Sequence, residues 1–117
     1  MRLLIAVFML LLIPACAPVI KPMGPVQGLS SMTDKALVTR DGAVLPVRSC
    51  LPQRRPRAVI IALHGFNDYA NAIALPAPFW AEQGIATYAY DQRGFGSAPN
   101  RDYWAGTRTM TADLRDA

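Results

Sequence analysis

One stretch constrains the fold of this chain more than any other: Ala58-Val59-Ile60-Ile61-Ala62-Leu63-His64-Gly65-Phe66, an unbroken apolar run that stops at a His-Gly pair. A short apolar run with β-branched residues reads as a strand buried on both faces, the kind found in parallel sheets. Gly65 lets the backbone turn and leaves room for a close approach. A second run, Ile85 to Tyr90, ends in Asp91-Gln92-Arg93-Gly94-Phe95-Gly96. A helix is expected between the two, ending near Gln83 with Gly84 as its stop. Pro76 and Pro78 suit its first turn, and Phe79 and Trp80 are expected to pack on the sheet. Strand, loop, helix, strand makes one βαβ unit, whose loops fall where α/β proteins place their ligands.

Upstream, Lys35 to Leu51 reads as an antiparallel hairpin. Ala36 to Thr39 forms one arm and Ala43 to Val47 the other. Asp41-Gly42 suits a two-residue type I′ turn. Pro46 points to an edge or a bulge, because it cannot donate to a ladder. Downstream, Gly94 to Gly106 is a loop, and Thr107 to Ala117 begins a second helix. Thr109 is its expected N-cap, Asp113 suits the helix dipole, and Met110, Leu114 and Ala117 share one face. The fold class is therefore α/β. The sequence ends at Ala117 with no helix-stop residue, so residues 35–117 read as a domain whose pattern is cut short.

At 117 residues the chain allows one small domain at most, and the N-terminus takes part of that length. Arg2, the apolar run Leu3 to Ile13, and Ile13-Pro14-Ala15-Cys16 read as an export signal over residues 1–16. The run is much shorter than the ~20 residues a membrane-spanning helix needs. Ile-Pro-Ala-Cys resembles a bacterial lipobox, which implies lipidation of Cys16. Ala17 after it implies the outer membrane of a Gram-negative cell. Plain secretion is the alternative localisation, and a Cys16–Cys50 disulfide is the alternative use of the two cysteines. Residues 17–34, with Pro18, Pro22, Pro25, Gly24 and Gly28, read as a flexible tether.

The net charge is +4, or +3 once Arg2 leaves with the signal. The one basic cluster, Arg54-Arg55-Pro56-Arg57, lacks interleaved aromatics and reads as a solvated loop, so no nucleic-acid partner is expected. One histidine and Cys50 do not make a zinc site, and Gly94-x-Gly96 lacks the rest of a dinucleotide fingerprint. No metal or cofactor is expected.

His64-Gly65-Phe66-Asn67 after a strand has the form of an oxyanion loop, where a fixed backbone N–H stabilises the negative oxygen of an acyl-transfer transition state. Together with Gly84-Ile85-Ala86-Thr87-Tyr88-Ala89-Tyr90-Asp91-Gln92-Arg93-Gly94-Phe95-Gly96, Trp104-x-Gly106 and Met110-x-x-Asp113-Leu114, this segment resembles the α/β-hydrolase superfamily. Within it the chain is most similar to the monoacylglycerol lipase and lysophospholipase group, also described as serine aminopeptidase-like hydrolases. The resemblance implies the N-terminal part of that fold, with the hairpin as its first two strands and the two apolar runs as its third and fourth. It implies a backbone N–H of Phe66 as the first oxyanion donor, with His64 and Gly65 supporting the loop. It implies an ester or lipid substrate for the intact protein and a structural role for Asp91 to Gly96. In the family's sheet order a fifth strand flanks the third, so its loss would leave Ala58–Leu63 with a bare edge.

The family's Gly-x-Ser-x-Gly nucleophile elbow, acid and catalytic histidine are missing from these residues. Ser97 is a turn serine. His64 is the only histidine, and Asp68 and Asp91 are conceivable orienters should it serve as a base. The expected function is thus the N-terminal portion of a serine ester hydrolase, inactive alone. The alternatives are a short non-enzymatic lipoprotein and an epoxide hydrolase or dehalogenase type of α/β-hydrolase. That last branch usually has Pro where Asn67 stands. Oligomeric state is not readable from the sequence.

Overall fold

The computed structural model describes residues 19–117. The export signal and Cys16 lie outside them. The described residues form a five-stranded mixed sheet with strands β1 (Ser31–Met32), β2 (Ala36–Val38), β3 (Val44–Cys50), β4 (Ala58–Ala62) and β5 (Ile85–Tyr90). Helix α1 (Pro76–Glu82) joins β4 to β5, and helix α2 (Thr107–Asp116) follows β5. A 3₁₀ turn, Ala70–Ile73, precedes α1. The strand order is β1-β2-β3-β5-β4. β3 runs antiparallel to β5, with Val47 opposite Tyr90, and β4 runs parallel to β5, with Ile60 opposite Thr87.

Adjacent residues of β5 face opposite ways and serve two cores. Tyr90 joins Leu37, Leu45, Val47 and Ala98 on one face. Ala89 joins Ala70, Ile73 and Ala77 on the other, with Trp80 against them. α1 starts on Pro76, where a missing N–H costs nothing, and ends before Gly84 at φ +77°. Trp80 packs inward as expected, but Phe79 is largely exposed. A seven-residue helix turns only part of its circumference toward the sheet, and Ala77 and Trp80 occupy that part.

Several other expectations are corrected. β4 is not buried on both faces, since Val59 is 59% exposed, whereas its outermost place among the described strands is the one expected without a flanking fifth strand. Among the described residues it has one neighbour, so its second edge is bare there. The hairpin turn is not type I′. Gly42 N–H donates to Thr39 O at 2.8 Å, Thr39 N–H donates to Ala43 O at 2.9 Å, and only Gly42 of the turn has positive φ. This is a three-residue loop with glycine in the left-handed position, which frees the Asp41 side chain to point inward. Pro46 lies in an internal strand. Its carbonyl accepts from Asp91 N–H, one residue past the end of β5. The missing proline donor thus falls where the ladder has stopped.

The tether is also corrected. Ile20 forms a parallel bridge with Trp104, and Lys21 N–H donates to Trp104 O at 2.8 Å. Met23 N–H donates to Thr109 Oγ1, Gly24 N–H to Asp41 Oδ2, and Gln27 N–H to Arg40 O. Proline and glycine prevent regular structure here, yet they leave enough free backbone donors to dock the segment on the body. The segment then enters the sheet as β1.

Helix α2 turns over relative to expectation. Its N-cap is Gly106, and its buried residues are Thr109, Asp113 and Asp116, while Leu114 is exposed. Polar residues face inward because cations wait there. Asp116 accepts from the Arg40 backbone N–H at 2.9 Å and pairs with the Arg40 guanidinium. Asp113 meets Arg93.

Candidate functional site

The loop after β4 is stitched to the loop after β5. Gln92 N–H donates to His64 Nε2 at 3.0 Å, so that nitrogen is bare and the ring proton sits on Nδ1. Nδ1–H then donates to Gly65 O at 2.8 Å. The Gln92 side-chain amide donates to His64 O at 2.7 Å. His64 is buried, and both its nitrogens are engaged by backbone. Neither Asp68 nor Asp91 hydrogen-bonds to its ring. Asp68 accepts from its neighbour Tyr69 N–H. Asp91 accepts from Ala70 N–H and Ser97 N–H, each at 2.8 Å, tying the loops after both strands into one block.

Gly65 to Asp68 form a β-turn closed by Asp68 N–H to Gly65 O, with Asn67 at φ +59° in the third position. Asparagine tolerates that conformation, whereas proline, locked near −65°, does not. Phe66 occupies the second position. Among the described residues its N–H has no acceptor. The Phe66 ring is exposed and meets Phe95 edge-on at 5.4 Å, and Phe95 meets His64 in the same way at 5.6 Å. No atom would contact a Cβ on Gly65 within 4 Å, so the space above this glycine is open. The turn thus presents an unpaired N–H donor beside a gap at the C-terminal end of β4. A groove of about 750 Å³ adjoins it, lined by Phe66, Asn67, Phe95, Tyr103, Trp104 and Val19.

Behind the loop lies a feature that sequence reading missed. Arg93 is 3% exposed and holds two carboxylates. Its Nε and Nη2 donate to Asp113 at 2.8 and 2.9 Å, its Nη1 and Nη2 to Asp41 at 2.8 and 2.5 Å, and Nη2 also to Thr39 Oγ1 at 2.9 Å. The only sequence signal was a charged residue set between a buried strand and Gly94. Its partners stand 52 and 20 positions away. Burial pulls the Arg93 guanidinium downward, but Asp41 and Asp113 outweigh it and hold the group well above its ordinary range. Burial pushes Asp113 up, against the pull of Arg93. The same burial raises the Tyr90 phenol to about 12.

The Arg93 hydrogen bonds hold Asp41 far below its ordinary value of 3.8. The folded carboxylate therefore binds fewer protons than the unfolded one, and its stabilisation is complete above 3.8 and lost below it. We expect urea midpoints to fall as pH drops below this value. Asp41→Asn should flatten that acid limb. An unchanged limb in the variant would contradict this assignment.

A family model described as serine aminopeptidase, S33, matches residues 54–117, more than half of the chain. An uncharacterised abhydrolase domain-containing protein of Dictyostelium discoideum is 35% identical over 60 residues, covering 51% of this chain and 6% of that protein. A serine hydrolase-like protein of the same organism is 42% identical over 45 residues, covering 38% of this chain and 12% of its own length. Among solved structures, the α/β hydrolase GrgF from Penicillium sp. sh18 superposes with a TM-score of 0.57 at 28% identity, covering 80% of this chain and 30% of that one. The chain thus spans less than a third of each of these proteins.

Proposed function

The chain belongs to the serine aminopeptidase S33 family of α/β-hydrolases, and from that premise we propose that it is the N-terminal portion of a serine hydrolase acting on carboxylic esters of the acylglycerol or lysophospholipid kind. Its contribution is half of the oxyanion hole. The observation that carries this reading is the Phe66 N–H, without an acceptor among the described residues and beside an open groove, in a turn locked by His64 and Gln92. Such a donor needs no rearrangement to meet an oxygen whose charge grows in the transition state. The nucleophile, acid and catalytic histidine come from chain beyond residue 117. The bare edge of β4 supports that division, since a further parallel strand there would cover it. The left-handed Asn67 disfavours the epoxide hydrolase and dehalogenase alternative, whose usual proline cannot adopt φ +59°. Lipidation at Cys16, as expected from the lipobox-like sequence, would hold the enzyme at the outer membrane.

The gene tests the division directly. The reading frame should run on past codon 117 into Gly-x-Ser-x-Gly, and a stop codon with no such coding sequence after it would leave the non-enzymatic lipoprotein. The donor is tested by Phe66→Pro in the intact protein. Proline suits the second position of a β-turn, so the loop is kept while the N–H is removed. Loss of one oxyanion donor typically lowers kcat about 10²–10³-fold. Full activity of this variant on p-nitrophenyl esters would remove Phe66 from the mechanism.

A further inference from the structure

Resting on the lipid anchor of that reading, we infer that the docked N-terminal segment turns the groove mouth toward the membrane and makes it a lipid-facing surface. A free tether over residues 17–34 would let the domain drift tens of ångströms from its anchor. The segment is instead fixed from Ile20 onward by Trp104 and Thr109. Only three peptide units separate Cys16 from Val19, and they span at most about 11 Å. Val19 itself lines the groove beside Phe66 and Tyr103. A lipid on Cys16 would thus lie within that reach of the groove.

The surface at that point has the chemistry of a bilayer contact. Val19 is 65% exposed, Ile20 54% and Phe66 84%, and Tyr103 is also exposed. Aromatic rings and a cationic fringe favour the headgroup boundary. Lys21 lies over the Tyr103 ring at 4.1 Å, with its backbone bonded to Trp104. Arg101 and Asp102 are exposed nearby and offset each other, and Asp68 in the Phe66 turn is exposed as well, which leaves Lys21 at the aromatic edge as the cation of the fringe. The occupant is therefore a lipid surface, held by the lipid on Cys16 and met by the Val19, Ile20, Phe66 and Tyr103 patch. An ester drawn from that bilayer reaches the Phe66 N–H without crossing bulk water.

The test needs no catalysis, so its outcome is separate from that of the hydrolase reading. Trp80→Phe leaves Trp104 as the sole tryptophan of the chain. The chain, expressed with its own leader, is reconstituted in phosphatidylethanolamine and phosphatidylglycerol vesicles whose acyl chains carry bromine. We expect co-flotation, a blue shift and loss of Trp104 emission. Insertion of about twelve Gly/Ser residues between Pro18 and Val19, with a reach of roughly 20 Å, should restore emission without abolishing flotation. Val19→Asp with Ile20→Asp should restore it too, with circular dichroism unchanged. A floating chain whose Trp104 is never quenched overturns the inference, as does equal quenching at both linker lengths. Failure to float removes the anchor and the inference with it. Trp104 shielded in a vesicle-free dimer assigns the patch to a second copy and also overturns it.

Discussion

Arg93→Met is expected to unfold the chain or lower its stability by about 3–5 kcal/mol, the usual result of removing one partner from a buried ion pair. The magnitude follows from what remains. Asp41 and Asp113 are almost wholly buried, and each loses a bidentate cation. Water cannot replace the guanidinium at such depth without opening the hairpin turn, the loop after β5 and α2 together. Arg93→Lys keeps the charge but loses the planar fork, so at most one of the two carboxylates is satisfied fully. It should fall between the wild type and the methionine variant. A triple variant, Arg93→Met with Asp41→Asn and Asp113→Asn, should recover part of the loss, since the orphaned charges are gone. Urea denaturation of the four proteins checks the order. A methionine variant within 0.5 kcal/mol of wild type would show that this network does not hold the fold.

The second large effect is at Gly94. It sits at φ +86°, and a Cβ there would stand 2.1 Å from the backbone oxygen of Tyr103. That oxygen belongs to the loop that docks the N-terminal segment, so it cannot swing aside as a side-chain tip would. The left-handed conformation costs about 1–2 kcal/mol for any residue with a Cβ. Forced displacement of packed neighbours adds roughly 1–3 kcal/mol. Gly94→Ala is therefore expected to destabilise the chain by about 3 kcal/mol and to loosen the groove wall formed by Tyr103 and Trp104. Gly65→Ala is the control. Its Cβ meets nothing, and its φ lies outside the left-handed range, so stability should hold. A common thermal midpoint for the two variants would refute the contrast.

These two positions show how differently the two glycine-bearing loops were legible. His64-Gly65 marked a functional turn from sequence, because a small residue after a buried run leaves space. The structure puts the open space at Gly65 and the steric demand at Gly94. No spacing rule separates those roles, since the demand at Gly94 comes from a carbonyl nine residues on. Likewise Asp41 and Asp113 each had a local explanation, a turn and a helix dipole. Both were displaced by a shared cation that neither could reveal locally.

Sequence alone determined the family and the elements from Ala36 onward. Apolar runs of strand length, Asp-Gly in the hairpin, Pro76 at a helix start and Gly84 at its end act through the backbone preferences of neighbouring residues. They therefore read correctly one segment at a time. Tertiary structure decided what each element faces. It left Val59 of Ala58–Ala62 exposed, turned the acidic side of α2 inward, and bound residues 19–28 to the body. The physical reason is common to all three. Burial, ion pairing and docking depend on groups brought together from distant parts of the chain, and periodicity within a segment does not record which groups those are.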